Sequence, residues 1–489
     1  MNIFKNYIYQ FSFQALSVIL PIITTPYVSR VLKPDGVGQY SLATATANYF
    51  VLFGILGLNN YGSRQVAYVR DNKEELHNTF WEINILRTCT MGGSILLYLI
   101  FTFFCIARDN RTIYLIELIT LAASVLDISW LFVGLEEFKK TVSRSIVFKI
   151  LGVICIFIFV NRKEDLWRYV LILALSTFLG QVVLWFQVPK SMLRIRANTE
   201  NLKGHFLRSI RLWLPSVAIN VYSSLDKIML GYITNDFQVG LYENSQKLVK
   251  IASTVTTSLS TVLVPRMSNL FKRGQAEDFK NLASKATTLV AFISVPICFG
   301  IIGIRETLVP WFFGPGYEKI TDLLFISAWM VITLGWSSIF GLQILVASNQ
   351  EKKYTWAVSI AAVINICLNL LLIKRLQAAG AVVSSVIAEY TGMLIMLYFV
   401  RKYINLSIML KETAKYIVGG IVMSSAIFCL GRCMNASMLT TILQICIGVI
   451  IYMVMMLILR DKNLIEILGK IRKAISSTFD KSSKERMNP

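Results

Sequence analysis

WLPSVAINVYSSLDKIMLGYITNDFQVGLYENSQKLVKIASTVTTSLSTVLVPRMSNLF, residues 213–271, is the stretch whose reading decides the rest of the chain. It contains two apolar segments that between them hold Asp226, Lys227, Glu243, Lys247 and Lys250. An ionisable side chain at membrane depth costs at least ~2.5 kcal/mol, so five of them need a polar setting, which is usually a pathway. At helical spacing, Glu243, Lys247, Lys250, Thr254, Thr257, Ser258 and Thr261 fall on one face of the second segment. Leu248, Ile251, Val255, Leu259 and Val262 fall on the opposite face, suited to lipid or packed neighbours. In the first segment Ser216, Asn220, Ser223 and Lys227 share a face, with Asp226 one flank away. Two lysine-bearing faces predict a cationic cavity. A competing reading pairs Glu243 with Lys247 four residues on, the favourable order for a helical ion pair. One glutamate does not neutralise two lysines, however, and the hydroxyl stripe continues inward.

The rest of the chain has the same character. Of 489 residues 55% are hydrophobic, with a mean hydropathy of +0.59. Apolar runs of about 20 residues recur from end to end, each long enough to cross a ~30 Å hydrocarbon core as a helix. The sequence therefore predicts an all-α polytopic membrane protein. A net charge of +21 raises the question of nucleic acid, but the basic residues are spread through short connectors, so the membrane surface is the simpler partner. Cys105, Cys155, Cys298, Cys367, Cys429 and Cys446 lie inside apolar runs without CxxC spacing, and behave as small hydrophobes. His77 and His205 fall in connectors with no paired-ligand pattern, so neither a metal nor another cofactor is expected.

About fourteen spans are predicted, near 5–32, 39–60, 83–107, 112–134, 143–161, 168–188, 213–234, 239–270, 283–304, 321–347, 354–374, 380–400, 415–431 and 438–459. With a cytoplasmic amino terminus, most of the 49 basic residues fall on inner segments, so both termini are expected to face the cytoplasm. The organisation predicted is a six-helix lobe over 1–188, a basic linker over 189–212 and a second six-helix lobe over 213–403. Two further helices over 404–459 and a basic amphipathic tail over 460–489 follow. An offset of 202 aligns Val37, Gly38 and Tyr40 with Val239, Gly240 and Tyr242, and Arg64 with Arg266. A slightly shifted match sets Lys139 and Lys140 on Lys352 and Lys353, so the lobes read as pseudo-equivalent repeats.

In the first span Gln10, Gln14, Ser17, Pro21 and Thr24 line one face. Pro21 and Pro26 each remove a helical hydrogen bond, which makes this span the candidate moving element and the two prolines its hinge. Arg30, at its outer end, sits at the cavity mouth or snorkels to headgroups. The connector YGSRQVAYVRDNKEELHNTFWEI reads as an amphipathic helix lying on the inner leaflet. Asp127 is an isolated acid deep in an apolar run, a charge-coupling candidate or a local partner. Trp311, Phe312, Phe313 and Tyr317, in RETLVPWFFGPGYEKI, are expected at the membrane surface as an aromatic belt.

The first 80 residues, from NYIYQFSFQALSVILPIITTPYVSRVLKPDGVGQYSLATATANYFVLFGILGLNNYGSRQ onward, resemble Wzx-type flippases of polysaccharide repeat units. LDKIMLG at 225–231, VGLY at 239–242 and FFGPGY at 312–317 support the resemblance. It implies two lobes around a central cavity walled by spans 1, 2, 7 and 8, as in multidrug and toxin extruders and lipid II flippases. The implied substrate is an undecaprenyl-pyrophosphate-linked oligosaccharide, moved from the inner to the outer leaflet of the bacterial inner membrane. Lys227, Lys247, Lys250 and Arg30 would attract the diphosphate, and Gln10, Gln14, Asn48, Asn220 and the threonines would contact sugar hydroxyls. Asp226 and Glu243 would serve charge coupling or structure. A polysaccharide polymerase and chain-length machinery are the implied protein partners.

No GxxxxGK[ST] loop is present, so direct ATP hydrolysis is not expected. A multidrug antiporter would be expected to use cavity carboxylates, whereas this stripe holds two lysines against one glutamate. A lipid II flippase carries the same pyrophosphate and is not separated by charge. A membrane glycosyltransferase would need catalytic acids or a large extramembranous loop, and neither is found, so no enzyme activity is expected.

Overall fold

In hydrocarbon a helix satisfies its backbone N–H and C=O groups within one segment, and apolar runs of this length fold accordingly. The computed structural model describes the backbone of residues 3–192, 194–195, 199–461 and 463–465, without the side chains of 3–13, 199–200, 214–216, 218–223 and 259–262. Every regular element among the described residues is helical. The order is α1 (Ile3–Ile55), α2 (Leu58–Val69), α3 (Lys73–Cys105), α4 (Arg111–Val125), α5 (Ser129–Gly134), α6 (Phe138–Phe159), α7 (Leu166–Trp185) and α8 (Thr199–Ile233). Then come α9 (Asp236–Lys272), α10 (Ala276–Phe313), α11 (Ile320–Ser327), α12 (Met330–Ser338), a π-helical turn over Ile339–Val346, α13 (Glu351–Leu376), α14 (Ala378–Val400), α15 (Leu406–Arg432) and α16 (Met438–Ile458).

Among the described residues eleven helices are long and apolar enough to cross a membrane, or twelve if the bent pair within α9 is one span. The expected fourteen are not reached by this count. One reason is α1, where Gln14–Ile55 counts once. At 1.5 Å per residue its 42 residues extend ~63 Å, about twice a ~30 Å core. The break inside α1 falls at Lys33, with φ 59° and ψ 173°. Pro34 disfavours an α conformation in the residue before it, so the chain leaves the helix there. Pro21 and Pro26, the expected hinge, lie within the helical run before that break.

The chain packs as two compact units. The first is Met1–Asn244 with Phe313–Tyr317 and Ala362–Ala381. Its core joins Val28, Leu32 and Ala43 of α1 to Tyr98, Leu121 and Val170. A second cluster gathers Leu58, Phe80, Trp130 and Leu131. The second unit is Ser245–Phe312, Glu318–Ala361 and Val382–Pro489, with Val290, Phe292, Phe340, Tyr416 and Tyr452 in its core. Helix α8 and the first turns of α9 pack with the first unit.

Two surface expectations give way to packing. In α2 the residues Leu58, Tyr61, Gly62 and Val66 are buried, and a Cβ added to Gly62 would lie 2.6 Å from the Trp130 ring. Protein, not lipid, covers that apolar face, while Arg64 and Arg70 stay exposed. In the FFGPGY loop Phe312, Phe313 and Tyr317 are buried, and the Tyr317 hydroxyl donates to the Ser29 carbonyl at 3.2 Å. Aromatic residues near a membrane surface serve as core as readily as belt, and burial decides between them.

Candidate functional site

Helix α8 delivers Asp226 and Lys227 as neighbours, about 100° apart, so they meet different partners. Asp226 is 4% exposed. Its Oδ2 accepts from the Tyr242 hydroxyl at 2.7 Å, and its Oδ1 accepts from Asn369 Nδ2 at 2.6 Å. Asn369 lies one turn from Asn365 on α13, and its Nδ2 is also within 3.2 Å of Asn365 Oδ1. Lys227 forms an ion pair with Glu243 of α9, whose Oε2 also accepts from Ser41 Oγ at 3.1 Å. Glu243 is therefore engaged across two helices by Lys227, an arrangement that helical spacing within α9 does not reveal.

Ser41 and Glu243 are repeat-mates, related by the offset of 202. The glycines of the repeat also meet. A Cβ on Gly38 would lie 1.7 Å from the Asp236 carbonyl oxygen, and one on Gly240 would lie 2.0 Å from that of Pro34. Pro34 and Asp236 are related by the same offset, so the two contacts are reciprocal, as a local two-fold axis requires. This close crossing of α1 and α9 holds Glu243 against Ser41.

The remaining predicted lysines belong to the second unit. Lys250 is exposed and Lys247 half-buried. Beyond them Thr254 donates to the Lys250 carbonyl at 2.9 Å, Thr257 to Ser253 at 3.0 Å and Ser258 to Val255 at 2.9 Å. The hydroxyl protons thus turn back on the helix and leave oxygen lone pairs outward. The buried face of α9 is Val249, Ser253 and Thr256, whereas Val255 of the predicted apolar face is exposed. Thr261, Leu259 and Val262 lie outside the described side chains, as do Gln10, Asn220, Ser216 and Ser223.

In the first unit Gln14, Asn48 and Arg30 are exposed. Arg30 runs along Gly314, where a Cβ would lie 2.9 Å from its Cγ. Asp127 accepts from the Ser129 N–H at 2.9 Å and lies 3.6 Å from Arg87. It has the local partner that was its alternative.

Sequence reasoning passed over several charged groups. Arg87 is fully buried, donating to Asn59 Oδ1 at 2.8 Å and to the Ser124 carbonyl at 2.7 Å. Glu117, buried in α4, accepts from Thr44 Oγ1 at 2.5 Å. In α6 Arg144 donates to Gln181 at 2.7 Å and Lys149 to Ser17 at 2.9 Å. The signal was an ionisable residue inside an apolar run, as for Asp127. A charge tally by connector credits Arg87, Arg144 and Lys149 to the adjoining loops and so hides them.

A family model described as "Polysaccharide biosynthesis protein" matches residues 3–271. The chain is 22% identical over 404 residues to "Putative O-antigen transporter" of Escherichia coli (strain K12), covering 82% of this chain and 97% of that one. It is 21% identical to "Capsular polysaccharide biosynthesis protein CapF" of Staphylococcus aureus, covering 81% and 99%. Among solved structures it is similar to "Lipid II flippase MurJ, inward closed conformation", with a TM-score of 0.73, 15% identity and coverage of 93% and 99%. It is also similar to an inward-facing MATE family multidrug resistance transporter of the MOP superfamily, with a TM-score of 0.62, 13% identity and coverage of 81% and 99%. At these identities the solved structures share the fold.

Proposed function

Because this chain belongs to the polysaccharide biosynthesis protein family, we propose that it is a flippase for lipid-diphosphate-linked oligosaccharide repeat units. It carries them from the inner to the outer leaflet of a bacterial inner membrane by alternating access. The observation that carries this reading is the stripe on α9, where exposed Lys250 leads into Thr254, Thr257 and Ser258. Ammonium groups suit a diphosphate, and hydroxyl oxygens suit sugar hydroxyls, while the lipid tail stays in hydrocarbon. Point-like ammonium charges also release phosphate more readily than bidentate guanidinium forks, which suits a cargo that must leave. The relatives named for O-antigen and capsule supply the cargo class.

Glutamine at both Lys247 and Lys250 is expected to leave membrane insertion intact and to lower export of lipid-linked oligosaccharide about tenfold or more. Glutamate at the same positions is expected to do more damage, since it adds repulsion to the loss of attraction. Export is read as surface polysaccharide in a strain lacking its own flippase. Unchanged export from the double glutamine protein would remove the cationic stripe from the mechanism. Rescue of a strain depleted of its lipid II flippase, without restored polysaccharide, would transfer the cargo to lipid II.

The same reading places both termini in the cytoplasm. In a cysteine-free background, a cysteine at Asn235 is expected to react with an impermeant thiol reagent added outside, and one at Asn349 is not. Equal reactivity of the two from one side would overturn the topology.

A further inference from the structure

Lys149 is the twelfth residue of the 22-residue helix α6, which places its Cα near the middle of the span. Its position on the helix says what it serves. Val147, Ile154 and Ile158 are exposed and share the lipid-facing side of α6. Lys149 points the other way at helical spacing, onto the face that holds buried Val142 and Ile156. That face lies against α1. Helices α1 and α6 run side by side in the same direction, because Ser17 meets Lys149 while Tyr27, ten residues on, donates to the Val160 carbonyl at 2.8 Å. The Lys149 ammonium therefore does not snorkel to headgroups along the lipid face. It donates to Ser17 Oγ at 2.9 Å, on the α1 stripe that also carries exposed Gln14.

A lysine at mid-depth is costly unless it meets an anion or a polar path, and intramembrane cations are functional by default. Helix α6 adds a second cation in Arg144, five residues earlier, which reaches Gln181 of α7 and has a buried Nε without a hydrogen-bond partner. Arg144 reaches toward α7, and Lys149 sets a positive charge beside the polar stripe of α1.

We infer that Lys149 is a substrate-binding residue of the first unit that takes the diphosphate of the carrier lipid, with Ser17 holding the ammonium when no phosphate is present. The inference rests on the flippase reading and adds a diphosphate contact that reading does not contain.

The test uses the purified full-length protein in detergent, with a sugar-free polyprenyl diphosphate as the probe and the matching polyprenol as its uncharged control. Binding is followed by native mass spectrometry. Lys149→Met keeps the length of the side chain and removes its charge, and should fold at least as well because no ammonium is left at mid-depth. It is expected to weaken diphosphate binding about tenfold or more, the loss of one charged hydrogen-bonded contact. Polyprenol binding should not change. Lys149→Arg is expected to restore diphosphate binding to within about threefold, and Ser17→Ala to leave it undiminished, since the phosphate replaces that hydroxyl.

Diphosphate binding by Lys149→Met at the wild-type level overturns the inference and leaves the flippase reading to its own test at Lys247 and Lys250. Equal weakening for diphosphate and polyprenol assigns Lys149 a packing role and also overturns it. A wild-type protein that does not prefer the diphosphate to polyprenol overturns both readings together.

Discussion

Leucine at Gly38 should abolish the folded protein, and leucine at Gly240 should do the same. At each position the first atom of any side chain, a Cβ, would lie 1.7 or 2.0 Å from a backbone carbonyl oxygen of the facing segment. The nearest obstacles are backbone atoms of Asp236, Gly240, Pro34 and Gly38, which cannot swing aside as a flexible side chain can. Overpacking a core costs ~1–3 kcal/mol even where side chains can yield, and the cost is higher when two helices must separate. Folded proteins hold only ~5–15 kcal/mol in reserve. Even alanine should lower the yield. The crossing also carries the Ser41–Glu243 contact, so residual Gly38→Ala protein should transport poorly. The measurement is fluorescence-detected gel filtration of a tagged protein. Gly92 and Gly93 supply the control, because a Cβ there meets nothing within 4 Å. Alanine at either should be tolerated or stabilising, by up to ~1 kcal/mol of helix propensity. Monodisperse Gly38→Leu protein at the wild-type yield would refute the close crossing.

Truncating Arg87 to alanine should cost about 3–5 kcal/mol, the range for breaking a buried ionic contact from one side. Its guanidinium is fully buried and ties three elements together. It reaches Asn59 of α2, the Ser124 carbonyl near the end of α4 and, at 3.6 Å, Asp127 beyond it. Alanine removes all three contacts, strands the Asn59 and Ser124 oxygens and leaves a cavity. Lysine keeps the charge but not the fork, and should recover only part of the loss. Replacing both charges tests the explanation. Arg87→Met with Asp127→Asn fills the space and keeps the Asn oxygen that can accept from the Ser129 N–H. That pair should be markedly more stable than Arg87→Ala in thermal unfolding followed by gel filtration. If Arg87→Ala unfolds at the wild-type temperature, the buried contact does not hold α2, α3 and α4 together.

Several features were legible in the sequence because they rest on local or periodic properties. Long apolar runs fixed an all-helical membrane chain, since hydrocarbon leaves the backbone few other ways to bond. The opening 80 residues identified the family. The offset of 202 aligned Gly38 with Gly240, and the close approach of α1 and α9 needs a residue without a Cβ at both. The sequence also showed that lysines interrupt apolar spans, because charge in such a run is unmistakable.

Partnership was another matter. The fold brings Lys227 from α8 and Ser41 from α1 to the Glu243 carboxylate, partners that helical spacing within α9 does not contain. Asp226 found Tyr242 and Asn369, the latter 143 residues away. Lys149 found Ser17, 132 residues earlier. Such pairs are chosen by which helices pack together, and a one-dimensional pattern holds no record of it. The same limit explains α2 and the FFGPGY aromatics. An amphipathic helix and an aromatic cluster read alike whether lipid or protein covers them, and only the neighbours supplied by tertiary structure decide which.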